Sequence, residues 1–244
     1  MSNRQRLDEL LVAKGFYASR SRARDAILRG AVRVDGATAA KPALSVMSDA
    51  VITLADEAQH YVSRAALKLK HGLRHFDISA KGCNALDIGA STGGFTQVLL
   101  EEGAAHVTAI DVGHGQMMLR DPRITLIEGL NARDLTSEHI AGPVNLVVCD
   151  VSFISLKLAL PNALELAEPG AALVALIKPQ FEAGRDAIGK SGLVTDEGVR
   201  QHVCEDIATF VESEGWTVLG LTPSPITGGG GSQEFLIAAR RLRR

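Results

Sequence analysis

From residue 84 to residue 240 the chain alternates apolar segments with stretches of helical spacing, and few folds accommodate that rhythm. The segments are 84–89, 106–112, 124–129, 144–151, 171–179, 216–223 and 234–240. Strands that alternate with helices predict an α/β fold with a doubly wound, Rossmann-like sheet. In such sheets ligands bind beyond the carboxyl ends of the strands, so the residues closing each segment are the first to inspect.

The first segment closes in Leu86-Asp87-Ile88-Gly89-Ala90-Ser91-Thr92-Gly93-Gly94-Phe95. A glycine-rich turn between strand and helix lets a ligand approach the backbone. A dinucleotide fingerprint would need a second glycine where Ser91 stands, and a pyrophosphate gains nothing from Asp87 just upstream. A sulfonium methyl donor does gain, because a carboxylate can hold its ammonium group. Gly89, Ser91, Gly93, Gly94 and Phe95 would then form the cradle. Asp111 ends the second segment, 22 positions after Gly89, where an acidic residue accepts hydrogen bonds from a ribose diol. After the third segment, Asn131 and Asp134 are candidates for the adenine amino group, as in methyltransferases of this layout. Three alternatives stand beside these assignments: a nicotinamide site, a purely structural turn, and simple helix capping by Asn131 and Asp134.

Four charged residues sit where a core would exclude them. Lys68 lies ahead of the first strand, Asp150 ends the fourth, Lys178 ends the fifth and Glu234 opens the last. Buried Lys, Asp and Glu are costly unless paired. Each alone reads as a structural ion pair; together with Asp87 and Asp111 they favour one active site.

The front of the chain differs in charge. Residues 1–48 hold nine Lys and Arg against four Asp and Glu, while the whole chain has a net charge of −2. A basic front on an acidic body points to a polyanion partner, with a solvated charged face as the bland alternative. Leu7, Leu10 and Leu11 mark one helix, stopped by Gly15. Ser19 or Ser21 can cap a second over 20–29, with Ala23, Ala26 and Ile27 inward and Arg20, Arg22, Arg24 and Arg29 mostly outward. Residues 31–34 read as a strand, Asp35-Gly36 as a hairpin turn and residues 51–54 as a closing strand. With Arg4, Arg6 and Arg33, these arginines form the candidate RNA-binding face, since a guanidinium can grip phosphate with two parallel hydrogen bonds. Residues 6–36, RLDELLVAKGFYASRSRARDAILRGAVRVDG, resemble the alpha-L RNA-binding domain found in a small-subunit ribosomal protein, pseudouridine synthases and tyrosyl-tRNA synthetases. The resemblance implies a small α+β RNA-binding domain over 1–60, followed by the larger domain over 61–244. No aromatic platform is visible in it, which favours recognition of RNA backbone and shape over single-strand base reading.

The body resembles the FtsJ-type ribose 2′-O-methyltransferases, whose Lys-Asp-Lys-Glu tetrad maps onto Lys68, Asp150, Lys178 and Glu234. The full arrangement is similar to the TlyA, or haemolysin A-like, family. The carrying stretches are YVSRAALKL, LDIGASTGGFTQVLL, AIDVGHGQ, CDVSFISL, IKPQFEAGRDAIGKSGLV and SPITGGGGSQEF, in order along nearly the whole chain. The resemblance implies S-adenosyl-L-methionine as cofactor, ribosomal RNA or ribosomal subunits as partner, and methylation of a cytidine ribose. Two positions depart from the family: relatives usually carry Gly-Gly at Ala65-Ala66 and Asn at Ser232. On this reading Lys178 is the base that takes the 2′-hydroxyl proton, since a desolvated lysine near another cation can fill that role. Asp150 orients Lys178, while Lys68 and Glu234 position the hydroxyl. Two glycine-rich loops, 181–192 and 224–231, adjoin tetrad members and read as RNA contacts or as ordinary surface turns. The closing arginines 240, 241, 243 and 244 read as phosphate contacts or a solvated tail.

Other classes find less support. A nicotinamide oxidoreductase conflicts with Ser91. A pore-forming haemolysin needs membrane segments, and no run of eighteen apolar residues exists. A non-catalytic RNA-binding assembly factor would be expected to have lost tetrad members, and all four are present. The N-terminus lacks the apolar core of a signal peptide. The three cysteines, Cys83, Cys149 and Cys204, are odd in number and widely spaced. They argue against disulfides or a zinc site, and for a reducing cytoplasm. No metal is expected.

Overall fold

The structure is a computed structural model that describes residues 3–189 and 191–242, without the Arg185 side chain. Lys190 of the first glycine-rich loop and Arg243 and Arg244 of the tail lie outside the described residues. The chain forms two compact units, Met1–Gln59 and His60–Arg244.

The first unit contains β1 (Arg4–Arg6), α1 (Leu7–Ala13), α2 (Arg20–Leu28), β2 (Val32–Val34), β3 (Ala37–Thr38), β4 (Ser45–Met47) and β5 (Ile52–Leu54). Leu7, Leu10 and Leu11 of α1 pack against Ala23, Ala26 and Ile27 of α2 and against Val32. The Ser19 hydroxyl caps α2 by accepting from the Arg22 N–H at 3.4 Å. Asp35 and Gly36 both take positive φ, 49° and 82°, the backbone that joins β2 to β3 in register with strand twist. β2 is the centre of the three-stranded sheet β3-β2-β5, and β1 pairs with β4 in a separate antiparallel ribbon.

The arginines divide into two groups. Arg4, Arg22, Arg24 and Arg33 are exposed. Arg6 and Arg20 converge on Asp8, whose side chain is fully buried, at 2.9 and 3.2 Å. The Arg6 hydrogen bonds, assisted by Arg20, hold the Asp8 carboxyl down at about 2. Arg29 departs from the outward expectation. It is drawn inward by Asp25 at 2.8 Å and Asp56 at 2.9 Å, and the Tyr17 hydroxyl donates to the same Asp56 at 2.8 Å. Its partners lie four residues before and 27 after it, and a buried carboxylate such as Asp56 needs a cation.

The second unit contains α3 (Ala65–His75), β6 (Asn84–Ile88), α4 (Gly94–Glu101), β7 (His106–Asp111), β8 (Ile124–Glu128), β9 (Val144–Cys149), α5 (Leu156–Ala159), α6 (Pro161–Leu166), β10 (Ala167–Ile177), α7 (Pro179–Glu182), α8 (Glu197–Ser213), β11 (Trp216–Pro223) and β12 (Phe235–Arg241). One seven-stranded sheet runs β11-β12-β10-β9-β6-β7-β8, with β12 antiparallel to both its neighbours and the other pairs parallel. The doubly wound, Rossmann-like expectation holds. Alternate residues feed two cores. Leu146 and Val148 face Leu69, Val98 and Leu99 of α3 and α4; Val147 and Cys149 face Leu156, Leu164 and Ile207 of α5, α6 and α8. Burial on both faces is why these strands read as unbroken apolar runs. β10 starts at Ala167, earlier than expected, through an irregularity between Ala167 and Ala172. Arg241 at the end of β12 is not a free tail cation: its guanidinium donates to the carbonyls of Leu164, Glu165 and Ala167.

Candidate active site

The chain winds outward from β6 to β7 and β8, then crosses back to β9 on the other side of β6. That reversal leaves a crevice at the carboxyl ends of β6 and β9. Ile88 pairs with Cys149, so Gly89 and Asp150 emerge side by side, and the Asp150 N–H donates to the Ile88 carbonyl at 3.0 Å. A Cβ at Gly89 would stand 2.8 Å from the Asp150 carbonyl oxygen; only glycine permits this approach.

Ser91 holds a positive φ of 46° and donates its N–H to Asp111 Oδ2 at 2.8 Å. The Gly113 N–H donates to the other Asp111 oxygen at 2.7 Å, so backbone groups fix the carboxylate from both sides. The Ser91 hydroxyl donates to Gln116 Oε1 at 2.8 Å. Gly93, with φ of 99°, is the N-cap of α4, and a Cβ there would meet Met117 Sδ at 2.6 Å. Gly94 packs on Ser63 and Ala66 at the start of α3, which brings the helix of Lys68 against the turn. Phe95 is buried beneath it.

Two cavities open here and share Gly89, Ser91, Asp150 and Ser152. The larger, about 720 Å³, has apolar walls from Ile110, Val112 and Leu130, with Asp111 and Asn131 at its polar side. The smaller, about 150 Å³, reaches Ser63, Gly94, Phe95 and Lys178. Asn131 also caps the following turn by accepting from the Arg133 N–H at 3.0 Å. Asp134 is exposed and lines neither cavity. Asp87 lines neither and is fully buried below the turn. Thr96 Oγ1 donates to its Oδ2 at 2.5 Å, while Oδ1 has no hydrogen-bond partner. Burial, reinforced by the charges of Asp150 and Asp111 and opposed by the Thr96 bond, pushes its carboxyl up to about 7. Three crowded carboxylates and a cavity within the roughly 300–1,000 Å³ range of small-molecule sites fit a nucleoside-type ligand carrying positive charge.

The four tetrad candidates meet at this same end of the sheet, as two ion pairs. Lys178 follows β10 and lies 2.6 Å from Asp150 Oδ1. Lys68, on α3, lies 2.5 Å from Glu234 Oε2. The antiparallel register pairs Ile177 with Phe235, so the next positions, Lys178 and Glu234, face each other across the strand ends. Lys68, Lys178 and Glu234 are buried, and Asp150 is partly exposed toward the cavities. Gly228 leaves room for the Glu234 carboxylate, which a Cβ at that position would strike. Of the two departures from the family pattern, Ala65 and Ala66 are the first two residues of α3, which also carries Lys68. Ser232 is buried and lies 3.5 Å from Gln180 Nε2.

Three neighbours escaped the sequence reading. Ser152 accepts from Lys178 Nζ at 2.8 Å. Gln116 buttresses Ser91, as described. Phe153 is 89% exposed with φ of 67° and packs on Phe181 at 5.1 Å between ring centroids. A large aromatic held open in a left-handed backbone is the unusual one. Its only trace in the sequence is a phenylalanine outside the strand pattern. Among the described residues, no group of three or more His, Cys, Asp or Glu could hold a metal ion, and no helix is long and apolar enough to cross a membrane.

Comparison with known proteins agrees with this architecture. Residues 61–241 match the FtsJ-like methyltransferase family and residues 5–52 match the S4 domain. The chain is 43% identical to the 16S/23S rRNA (cytidine-2′-O)-methyltransferase TlyA of Mycobacterium tuberculosis, covering 98% of this chain and 91% of that protein. It is 38% identical to Hemolysin A of Brachyspira hyodysenteriae, covering 95% of this chain and 98% of that one. A solved structure named as a candidate hemolysin from Streptococcus thermophilus superposes with a TM-score of 0.76 at 37% identity, covering 99% of this chain and 90% of that chain. An S4 domain joined to an FtsJ-like domain, with full-length similarity to TlyA and Hemolysin A, makes this chain a member of the FtsJ-like methyltransferase family, in the branch to which the TlyA proteins belong.

Proposed function

We propose that this chain transfers a methyl group from S-adenosyl-L-methionine to the ribose 2′-hydroxyl of a cytidine in ribosomal RNA. The observation that carries the reading is the Lys178–Asp150 pair lining the smaller cavity, with Asp150 shared by the larger, on a chain 43% identical to a TlyA enzyme. Asp111 would hold the ribose diol of the cofactor, Ile110, Val112 and Leu130 its base, and Asn131 the adenine edge. The Gly89–Gly94 backbone would take the methionyl end, over the buried negative charge of Asp87. Bound S-adenosylmethionine supplies a methyl group already activated by its sulfonium charge.

The chain's own residues then have two tasks, alignment and proton removal. Lys178 Nζ takes the 2′-hydroxyl proton as the oxygen attacks. Asp150 and Ser152 hold two of the directions around that nitrogen, leaving the remaining one for the hydroxyl. Lys68 and Glu234 neutralise each other and support the hydroxyl from the opposite strand. Phe153 offers a flat apolar face beside the cavity, suited to a nucleobase. On the S4 unit, the exposed Arg4, Arg22, Arg24 and Arg33 are the candidate phosphate contacts; Arg6 and Arg20 would serve from the edge of the Asp8 cluster. A ribosomal RNA substrate supports a cytoplasmic location.

The test is incubation with methyl-labelled S-adenosylmethionine and ribosomal subunits or their precursors, followed by digestion to nucleosides. Label in 2′-O-methylcytidine is the expected result. Absence of label in RNA from every assembly state would favour the non-catalytic RNA-binding reading.

A further inference from the structure

β9 and β10 are parallel neighbours, with Ala175 paired to Cys149, so the segments that follow them leave the sheet side by side. Contacts at three successive levels join these segments. At the first, Lys178 Nζ lies 2.6 Å from Asp150 Oδ1 and donates to Ser152 Oγ at 2.8 Å. At the second, Phe153 packs on Phe181 at 5.1 Å. At the third, Glu182 accepts twice, from Ser155 Oγ at 2.5 Å and from the Leu156 N–H at 2.8 Å.

The third level does something the first two cannot. α5 and α7 are four residues each, too short to keep an orientation by themselves. α5 already has a local cap, because Ser155 Oγ accepts from the Lys157 N–H at 3.1 Å. A carboxylate from another segment is therefore not needed to satisfy that cap. What Glu182 adds is a crosslink: it ties the start of α5 to a point four residues beyond Lys178. Burial pushes the Glu182 carboxyl upward, so the fold keeps this group there against a desolvation cost.

We propose that Glu182 is a positioning residue, whose two hydrogen bonds to Ser155 and Leu156 clamp the 150–155 segment against Lys178 and so set the spacing of Lys178, Asp150 and Ser152. The proposal rests on Lys178 being the proton acceptor of the methyl transfer. Glu182 lines neither cavity, but Asp150–Ile154 of the segment it holds line the larger one, so the clamp bears first on the geometry of the base and secondarily on the cofactor cavity. Its removal should therefore lower turnover by a larger factor than it weakens cofactor binding.

The experiment uses the full chain with ribosomal subunits and saturating labelled S-adenosylmethionine, and compares Glu182→Ala, Glu182→Gln, Ser155→Ala and the Glu182→Ala/Ser155→Ala double variant. Calorimetric titration with S-adenosylmethionine runs in parallel. Glu182→Ala should lower kcat by on the order of ten- to a hundred-fold, the scale of a misplaced catalytic group, with a smaller change in the Kd for S-adenosylmethionine. Glu182→Gln should recover most of it, because its amide oxygen still accepts from Leu156. Ser155→Ala should lose less, and the double variant should be no slower than Glu182→Ala, the mark of one shared interaction. Wild-type kcat in Glu182→Ala overturns the proposal. So does a rise in the Kd for S-adenosylmethionine as large as the kcat loss, or independent multiplication of the two single effects. Should Glu182→Ala fail to fold, Ser155→Ala decides: wild-type kcat there overturns the clamp. A wild-type protein that labels no RNA overturns the functional reading itself, and is recognised before any variant is compared.

Discussion

At Lys178 one nitrogen is asked to meet Asp150, Ser152 and an incoming hydroxyl. Lys178→Ala removes the proton acceptor without touching the walls of the larger cavity. Methyl transfer should fall to background, while S-adenosylmethionine still binds by calorimetry; near-wild-type turnover would remove Lys178 from its role. Asp87 makes a different prediction. Its folded carboxyl titrates at about 7, raised by burial, against an ordinary value near 3.9 in an unfolded chain. Between those values the folded state binds more protons than the unfolded one, so stability falls as pH rises through that window and levels off above it. Asp87→Asn keeps the shape and cannot ionise. Its thermal midpoint relative to wild type should rise steadily from pH 4 to pH 7.5, by an amount worth on the order of a few kcal/mol at most. A constant difference across that range would refute the assignment. The four tetrad residues were legible because charge at the end of an apolar run is anomalous. Their grouping, Asp150 with Lys178 and Lys68 with Glu234, came from the family resemblance; what the sequence did not show is the contact of the two ion pairs, which depends on β12 returning antiparallel beside β10. Ser152 and Glu182 could not be found that way: a serine or glutamate in a loop looks like any other.

Among the elements, the central strands were the easiest to read. Residues 144–149 are apolar without alternation because helices cover both faces of the sheet. The β1–β4 ribbon was missed because its members, Arg4–Arg6 and Ser45–Met47, are three residues long and mostly polar. α5 and α6 were given no bounds because neither is long enough to show a period. Arg29 was misjudged because helical spacing says which face a side chain leaves from, not that Asp56 waits for it. α8 supplies a clean test of element stability. It spans 17 residues, and its N-cap Asp196 accepts from the Val199 N–H at 3.1 Å, while Val203, Ile207 and Val211 anchor its buried face. Asp196→Ala should cost about 0.5–2 kcal/mol in urea unfolding and leave kcat unchanged, because α8 contributes nothing to either cavity. Loss of activity without loss of stability would show that α8 does more than support the sheet.

At the scale of the molecule, an S4 unit with outward arginines precedes a methyltransferase unit whose crevice carries clustered carboxylates. Replacing Arg24 and Arg33 with alanine should weaken binding to ribosomal RNA most at low salt. It should reduce the slope of log affinity against log salt by roughly 0.7–0.9 for each lost phosphate contact, with S-adenosylmethionine affinity unchanged. Filter binding across a potassium chloride series measures both; an unaltered slope would move the RNA contacts elsewhere. The buried carboxyl beneath the glycine turn has one further consequence, for the heat of ligand uptake. A cation arriving above Asp87 favours its ionised form, so near neutral pH the protein should eject a fraction of a proton as S-adenosylmethionine enters. The apparent binding enthalpy should then depend on the ionisation enthalpy of the buffer, differing between phosphate and Tris, and Asp87→Asn should abolish that dependence.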